Sequence, residues 1–183
     1  MMSHAFTHRL ARTSDIPILQ PLMAASIREL LKNFLPPEAV EASFEVMGLD
    51  TRLIDDGTYF VVECDGVIAG CGGWSRRSTL FGGDHAAVRD DALLDPKRDA
   101  ARVRAMYTSP AFVRRGVGRL VLSLCEQATA QEGFSRAELA ATLAGLPLYR
   151  ACGYREIERL DVPTSKGIRV PLIRMGKVIS TSV

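Results

Sequence analysis

The sequence predicts an α/β (α+β) domain, because apolar runs of strand type alternate with amphipathic helical segments along its 183 residues. Between residues 103 and 133 a short apolar strand, a glycine turn and an amphipathic helix follow one another. Asp65-Gly66 joins two apolar runs, 58–64 and 67–76, in the manner of a β-hairpin. Residues 154–178 are expected to form a second hairpin. The length suits a single domain over 1–183.

Composition limits the functions that the chain could have. Hydrophobic residues make up 47% of the sequence, and the net charge is only +2, so nucleic-acid binding is not indicated by charge. No apolar run approaches the ~18 residues that a membrane span needs, and residues 1–10 lack an apolar signal core. The four cysteines lie in apolar patterns without metal-ligand spacing, which predicts buried free thiols, no metal site and a cytoplasmic protein. They are Cys64, Cys71, Cys125 and Cys152.

The other elements are predicted from periodicity and from helix-breaking residues. Strands are expected over 5–11 and 136–142, and helices from a cap at 13–15 to about 33, over 38–47, and just after Pro147. Glycines at positions 70, 72 and 73 predict a bulge or a close approach by another group. Pro171 predicts that the last strand bulges or lies at a sheet edge. Residues 75–100 are expected to form a long loop.

Residues 104–119 are the most informative stretch, because a glycine turn there opens an amphipathic helix. The first turn of a helix has N–H groups without partners and the positive end of the helix dipole. Gly116 and Gly118 lack a Cβ, so a ligand oxygen can approach the backbone. Three arginines add positive charge: Arg114, Arg115 and Arg119. The pattern predicts a phosphate or pyrophosphate site, with a tight turn bearing solvated arginines as the alternative. It is neither a Walker A loop nor a dinucleotide fingerprint, since the third glycine of G-x-G-x-x-G is missing and Val121 stands at that position.

Two motifs in this order resemble the GNAT (GCN5-related) N-acetyltransferase family. The sequence RRGVGR at 114–119, after a strand ending in YTSP, resembles the acetyl-CoA motif Q/R-x-x-G-x-G/A, although Val113 stands where Gln or Arg is usual. The sequence LYRACGY at 148–154 resembles the late L-Y-x-x-x-G-F/Y motif. The resemblance is sharp over 102–154 and extends in layout over 7–160. It implies the GNAT fold, a mixed twisted β-sheet of about six to seven strands flanked by helices.

The resemblance also implies an acetyl-CoA-dependent N-acetyltransferase that acetylates a primary amine of a small molecule or protein. The strand residues expected to pair with the pantetheine arm are Met106, Tyr107 and Thr108. The residues expected to hold the diphosphate are Arg114, Arg115, Gly116, Val117, Gly118 and Arg119. Tyr149 is expected to donate a proton to the CoA sulfur, because a phenol is a neutral donor at pH 7. The alternative is that Tyr149 only packs between helix and sheet.

The general base stays open at this point. Many protein-lysine members of the family have a Glu early in the cofactor strand, but residues 102–108 contain no carboxylate. Glu63, Glu138 and His85 are candidates, Glu138 more in keeping with a structural ion pair, and water is a further alternative. The missing Glu counts against a histone-type mechanism.

Direct transfer in a ternary complex is favoured over an acetyl-cysteine intermediate, because Cys125 and Cys152 lie in helices that should be packed. Two other functional classes remain: a CoA-binding regulatory or interaction module without turnover, and an unrelated phosphate- or nucleic-acid-binding domain. The acceptor is not specified by any motif. Residues 75–100 are interpreted either as a lid over the acceptor or as a mobile surface loop. Family members often form homodimers, and the sequence does not decide this point.

Overall fold

The computed structural model describes residues 5–86 and 89–179. The strands are β1 (Thr7–Leu10), β2 (Tyr59–Cys64), β3 (Val67–Ser75), β4 (Ala101–Thr108), β5 (Arg136–Ala141), β6 (Arg155–Pro163) and β7 (Arg169–Val178). The α-helices are α1 (Ile16–Leu31), α2 (Pro37–Val46), α3 (Thr51–Asp55), α4 (Val117–Gln131) and α5 (Leu146–Ala151), and single 3₁₀ turns cover 13–15 and 110–112. The sheet order is β1-β2-β3-β4-β5-β7-β6, and only the β4–β5 pair is parallel. This is the mixed, helix-flanked sheet that was predicted.

Local turn chemistry accounts for two of the correctly predicted boundaries. Asp65 and Gly66 have φ of 51° and 78°, the left-handed pair that a two-residue hairpin turn requires between β2 and β3. Gly133, with φ of 89°, follows the C-cap of α4 and ends that helix as expected.

The glycines of β3 mark both a bulge and a close approach, as predicted. The register of β3 with β4 shifts between Cys71 and Gly73, where β4 has one extra residue. Ala105 lies in this bulge of β4, with φ of 50°. A Cβ on Gly72 would lie 2.6 Å from Met106 Cγ and 2.7 Å from Val121 Cγ1. The bare backbone of β3 therefore lets α4 pack directly on the sheet, which fixes where the N-terminus of α4 lies.

The prediction drawn from Pro171 was wrong, because β7 is an inner strand without a bulge at that residue. The strand lies between β5 and β6, and the β6–β7 irregularity falls between Glu156 and Glu158. Pairing of β7 with β5 ends at Ile173. Pro171 thus occupies a part of β7 that has only one neighbouring strand, where a missing N–H is tolerated.

Residues 75–100 are not a free loop in the parts that the structure describes. The segment folds back on itself through a bridge between Arg77 and Leu93, and the N–H of Leu94 donates to the Arg76 carbonyl at 2.8 Å. Arg77 also forms an ion pair with Asp56 at 2.9 Å. Residues 87–88 lie outside the description. The pairing makes the described parts a folded surface excursion and not an unpaired loop.

Strands β4 and β5 stay together for only two residue pairs, Ala101 with Ala137 and Arg102 with Glu138. Beyond Arg102 the two strands separate, so one side of β4 has no strand partner. One apolar core packs α4 against the sheet, and a second packs α1 and α3 against the other face. The gap between β4 and β5 opens between these two layers of helices.

Candidate active site

A cavity of about 770 Å³ fills the gap where β4 and β5 separate. Residues 103–108 of β4 run through its centre. The glycine turn and α5 line one side of it, and the C-terminal ends of α1 and α2 line the other. The volume falls within the range of small-molecule and cofactor sites in proteins. The predicted strand residues Met106, Tyr107 and Thr108 all line this cavity.

The backbone N–H groups at the start of α4 are free to bind a ligand. Within the described residues, none of the N–H groups from Arg114 to Arg119 donates a hydrogen bond to a protein group. Arg114 and Gly116 both have a left-handed backbone, with φ of 61° and 87°. A Cβ on Gly116 would have nothing within 4 Å, so glycine is required there by the backbone angle and not by space. Free N–H donors at the positive end of a helix dipole are a combination that suits an anion.

Gly118 lines the cavity, and protein also lies close to the position that its Cβ would take. A Cβ there would lie 2.8 Å from Leu148 Cδ2. Leu148 opens the late motif that was recognised in the sequence. The second glycine of the turn therefore lets α5 pack against the first turn of α4, which couples the two motifs physically.

The side chains of the turn differ in where they point. Arg114, Val117 and Arg119 line the cavity, whereas Arg115 does not. The Arg115 guanidinium lies over two aromatic rings, 5.0 Å from the centroid of Phe112 and 5.5 Å from that of Phe6. All three arginines of the turn are exposed, and none forms a carboxylate ion pair within the described residues. The turn is therefore positively charged without an internal counter-ion.

Tyr149 lines the same cavity, from the middle of α5. A Cβ on Gly145 would lie 2.9 Å from Tyr149 Cε2, so a glycine leaves room for the ring. The Tyr149 hydroxyl makes one weak contact, donating to Met106 Sδ at 3.6 Å. Burial raises the pKa of Tyr149 above the ordinary value for a phenol, so it is protonated at neutral pH. Tyr149 thus presents a neutral phenol to the cavity, next to Met106 of β4.

The side chains of Tyr107 and Tyr154 pack inside the protein. The Tyr107 hydroxyl donates to the Gly48 carbonyl at 3.1 Å and accepts from the Gly48 N–H at 3.0 Å, which ties β4 to the segment after α2. Tyr154 is buried and does not line the cavity. Any cofactor contact from Tyr107 therefore comes from its backbone.

A buried charge network connects β4 with the segments around it. Asp50 is 1% exposed and lies 2.9 Å from the Arg104 guanidinium and 2.9 Å from that of Arg89. Arg104 also donates to the Gly82 carbonyl at 2.6 Å. Burial lowers the pKa of Arg104, and the neighbouring Asp50 opposes this change. The network anchors the 75–100 excursion to β4, with Gly82 at the cavity wall.

None of the three candidate bases lines the cavity. Glu138 lies between Arg102, at 2.6 Å, and Arg174, at 2.7 Å, in the structural pairing that was expected. Glu63 pairs with Arg9 at 2.9 Å. His85 contacts a backbone carbonyl on the outer surface. A water-borne proton path is the remaining alternative of those considered.

Sequence reasoning missed Ser26. This residue lies in α1 among apolar neighbours, it is 4% exposed, and it lines the cavity. Its hydroxyl has no hydrogen-bond partner within the described residues, unlike that of Ser43, which donates to the carbonyl four residues earlier at 2.7 Å. No motif singles Ser26 out, because a lone Ser in a helix carries no signal until the helix is placed beside a cavity.

The model of the acetyltransferase (GNAT) family matches residues 24–154. The chain belongs to this family. No curated protein matches it in sequence. The GNAT fold is confirmed by solved structures, among them a GCN5-related N-acetyltransferase from Rhodopseudomonas palustris, with a TM-score of 0.70, 18% identity, and coverage of 97% of this chain and 98% of that one.

Two further solved N-acetyltransferase structures share this fold. The PaiA N-acetyltransferase of Thermoplasma acidophilum, in complex with coenzyme A, has a TM-score of 0.63 and 12% identity, over 95% of this chain and 99% of that one. The ribosomal-protein-S18-alanine N-acetyltransferase of Escherichia coli has a TM-score of 0.59 and 18% identity, over 98% and 97%. At these identities the likeness concerns the fold. None of the helices in the described part of this chain is long and apolar enough to cross a bilayer.

Proposed function

We propose that the protein is an acetyl-CoA-dependent N-acetyltransferase that acetylates a primary amine by direct transfer within a ternary complex. Family membership supports acetyl transfer, and the coenzyme A complex of the Thermoplasma acidophilum structure supports the choice of cofactor. The observation that carries the proposal is that the glycine turn opening α4, with its free N–H groups, and the Tyr149 phenol line one cavity, which Thr108 also lines.

The residues present fit a thioester of coenzyme A. Free N–H groups at a positive helix end suit a diphosphate, and the unpaired side of β4 offers N–H and C=O groups to a pantetheine amide. Acetyl-CoA, when bound, would supply the acetyl group as a thioester. In this assignment Arg114 and Arg119 hold the diphosphate with the turn. The backbone of Met106, Tyr107 and Thr108 aligns the arm towards Tyr149.

The chain has two tasks during transfer, and water takes up the proton of the amine. Residues of β4 hold the thioester beside the amine, and positioning of this kind contributes several kcal/mol. The amine loses a proton to water as its nitrogen forms the C–N bond and the C–S bond breaks. Tyr149 gives its hydroxyl proton to the departing sulfur and regains one from solvent. No cysteine lines the cavity within the described residues, which supports direct transfer over an acetyl-cysteine step.

The proposal also includes the cellular location and the domain organisation of the protein. All four cysteines are unpaired, as thiols are in a reducing compartment, and we therefore assign the protein to the cytoplasm. The single seven-stranded sheet supports one domain over the whole chain.

Release of free coenzyme A from acetyl-CoA in the presence of an amine panel tests the proposal. The panel contains free amino-terminal peptides, a lysine peptide with a blocked amino terminus, spermidine and phenethylamine. Amine-dependent thiol release with at least one of them is expected. Tight acetyl-CoA binding without release for any amine would favour a CoA-binding module. Nucleic-acid binding that coenzyme A does not displace would favour an unrelated phosphate- or nucleic-acid-binding domain.

A further inference from the structure

The side of the cavity away from the glycine turn has an apolar wall. This wall, called the acceptor wall here, consists of Leu30, Val46, Met47, Phe81, Ala140 and Leu172. Five of the six belong to one packed cluster that joins α2, the 75–100 excursion, β5 and β7. Leu30 completes the wall from α1. A substrate that reaches the thioester from this side meets mainly hydrocarbon, so burying an apolar group there is favourable.

Charged groups are nearly absent from the acceptor side. Glu29 is the one carboxylate residue that lines the cavity within the described residues, and its side chain is 51% exposed beside Lys32. The Arg104 guanidinium is engaged by Asp50 and by the Gly82 carbonyl. A polycationic acceptor therefore finds no set of carboxylates, and an acidic acceptor finds no free buried cation.

The residues that line the cavity also indicate how the amine loses its proton. Among the described lining residues there is no His, Asp or Lys, and Glu29 lies at the rim. Without a base beside the nitrogen, only the fraction of acceptor that is already neutral can attack. An α-amine, with a pKa of about 7.8, is about one third neutral at pH 7.5, whereas a lysine amine, with a pKa of about 10.4, is about 0.1% neutral. This difference in the neutral fraction alone favours the α-amine by about 250-fold.

Resting on the proposed function, we infer that the acceptor is a weakly basic α-amine adjacent to an apolar side chain, which packs on the acceptor wall. Ser26 is the one buried hydroxyl on this side without a protein partner, and it accepts a hydrogen bond from the acceptor nitrogen or its neighbouring amide. The chemistry of transfer is unchanged: the C–N bond forms, the C–S bond breaks, and the amine proton goes to water.

Four acceptors, each at pH 7.5, test the inference on the wild-type protein. They are a lysine-free peptide beginning with Leu, the same peptide beginning with Asp, an amino-terminally acetylated peptide with one lysine between leucines, and spermidine. We expect kcat/KM for the Leu peptide to exceed that of the lysine peptide by about 100-fold or more. It should exceed that of the Asp peptide by about tenfold, since a buried unpaired carboxylate is costly.

The pH profile separates the inference from an enzyme base. The profile of kcat/KM should bend at the pKa of whichever acceptor is used, and the gap between Leu and lysine peptides should close above about pH 10. A bend between pH 5 and 8 that stays fixed when the acceptor is changed would overturn the inference. A higher kcat/KM for the lysine peptide or spermidine than for the Leu peptide would also overturn it, while leaving the proposed function intact. Absence of turnover with every amine tested would contradict both this inference and the proposed function.

A charge placed on the wall tests its role directly. Met47→Glu should lower kcat/KM for the Leu peptide by about tenfold or more, through an unfavourable desolvated carboxylate, while the acetyl-CoA Kd is unchanged. The matched control is Ile18→Glu, because Ile18 is 55% exposed on α1 and does not line the cavity. Equal losses in both variants, or no loss in Met47→Glu with the fold retained, would contradict the assigned wall.

Discussion

Replacing Tyr149 by Phe removes one oxygen atom, whose only hydrogen bond within the described residues is to Met106 Sδ at 3.6 Å. A contact this weak contributes little, so the free energy of unfolding should change by less than about 1 kcal/mol. The effect on rate should be larger. General acids contribute about 10²–10⁴-fold, and a thiol with a pKa near 8.5 already leaves fairly readily, which places the loss near 10²-fold. This loss corresponds to about 2.7 kcal/mol of transition-state stabilisation.

The assay is release of coenzyme A at saturating acetyl-CoA and amine, paired with calorimetric titration of acetyl-CoA. The expected result for Tyr149→Phe is a kcat about 100-fold lower with an unchanged acetyl-CoA Kd. Tyr154→Phe is the matched control, because its ring lies 6.0 Å from that of Tyr149 but does not line the cavity. A kcat for Tyr149→Phe within threefold of the wild type would refute the assigned proton donor.

Three other substitutions follow from the geometry. Gly118→Val sets a Cβ at 2.8 Å from Leu148 Cδ2 and should displace α5, raising the acetyl-CoA Kd by about tenfold in titrations. Asp50→Asn leaves the 3% exposed Arg104 without its buried partner, and urea unfolding should show a loss of about 3–5 kcal/mol. Ser26→Ala should raise the KM for the amine by about 2–10-fold at constant kcat, as expected for loss of a neutral hydrogen bond in steady-state kinetics. An unchanged acetyl-CoA Kd would contradict the expectation for Gly118→Val, and an unchanged urea midpoint would contradict that for Asp50→Asn. A change in kcat would contradict the expectation for Ser26→Ala.

Short-range chemistry made much of the fold predictable. The Asp65-Gly66 turn and the Gly133 cap are decided by neighbouring residues and by positive φ, so sequence alone located them. The two motifs of the turn and α5 were recognisable for the same reason. Pro171 misled, because whether a strand has one neighbour or two at a given residue depends on strand order, which local sequence does not encode.

The candidate site was only half predictable. The cofactor side follows one continuous stretch, 104–119, and one late motif, so the glycine turn and Tyr149 could be named. The acceptor side is assembled from α1, α2, the 75–100 excursion, β5 and β7, which are far apart in sequence. Ser26 and the acceptor wall acquire meaning only through long-range packing. The same holds for the contact of Gly118 with Leu148, which adds a packing reason for that glycine.

The central claim is that the free N–H groups opening α4 hold the diphosphate of acetyl-CoA. Its most direct test compares calorimetric titrations of acetyl-CoA and of S-acetylpantetheine, which lacks the diphosphate. Several charge-assisted hydrogen bonds, at about 1.5–3 kcal/mol each, predict a Kd of tens of micromolar or tighter for acetyl-CoA, and binding of S-acetylpantetheine at least about 100-fold weaker. Equal affinities for the two compounds, or no binding of acetyl-CoA, would contradict the claim.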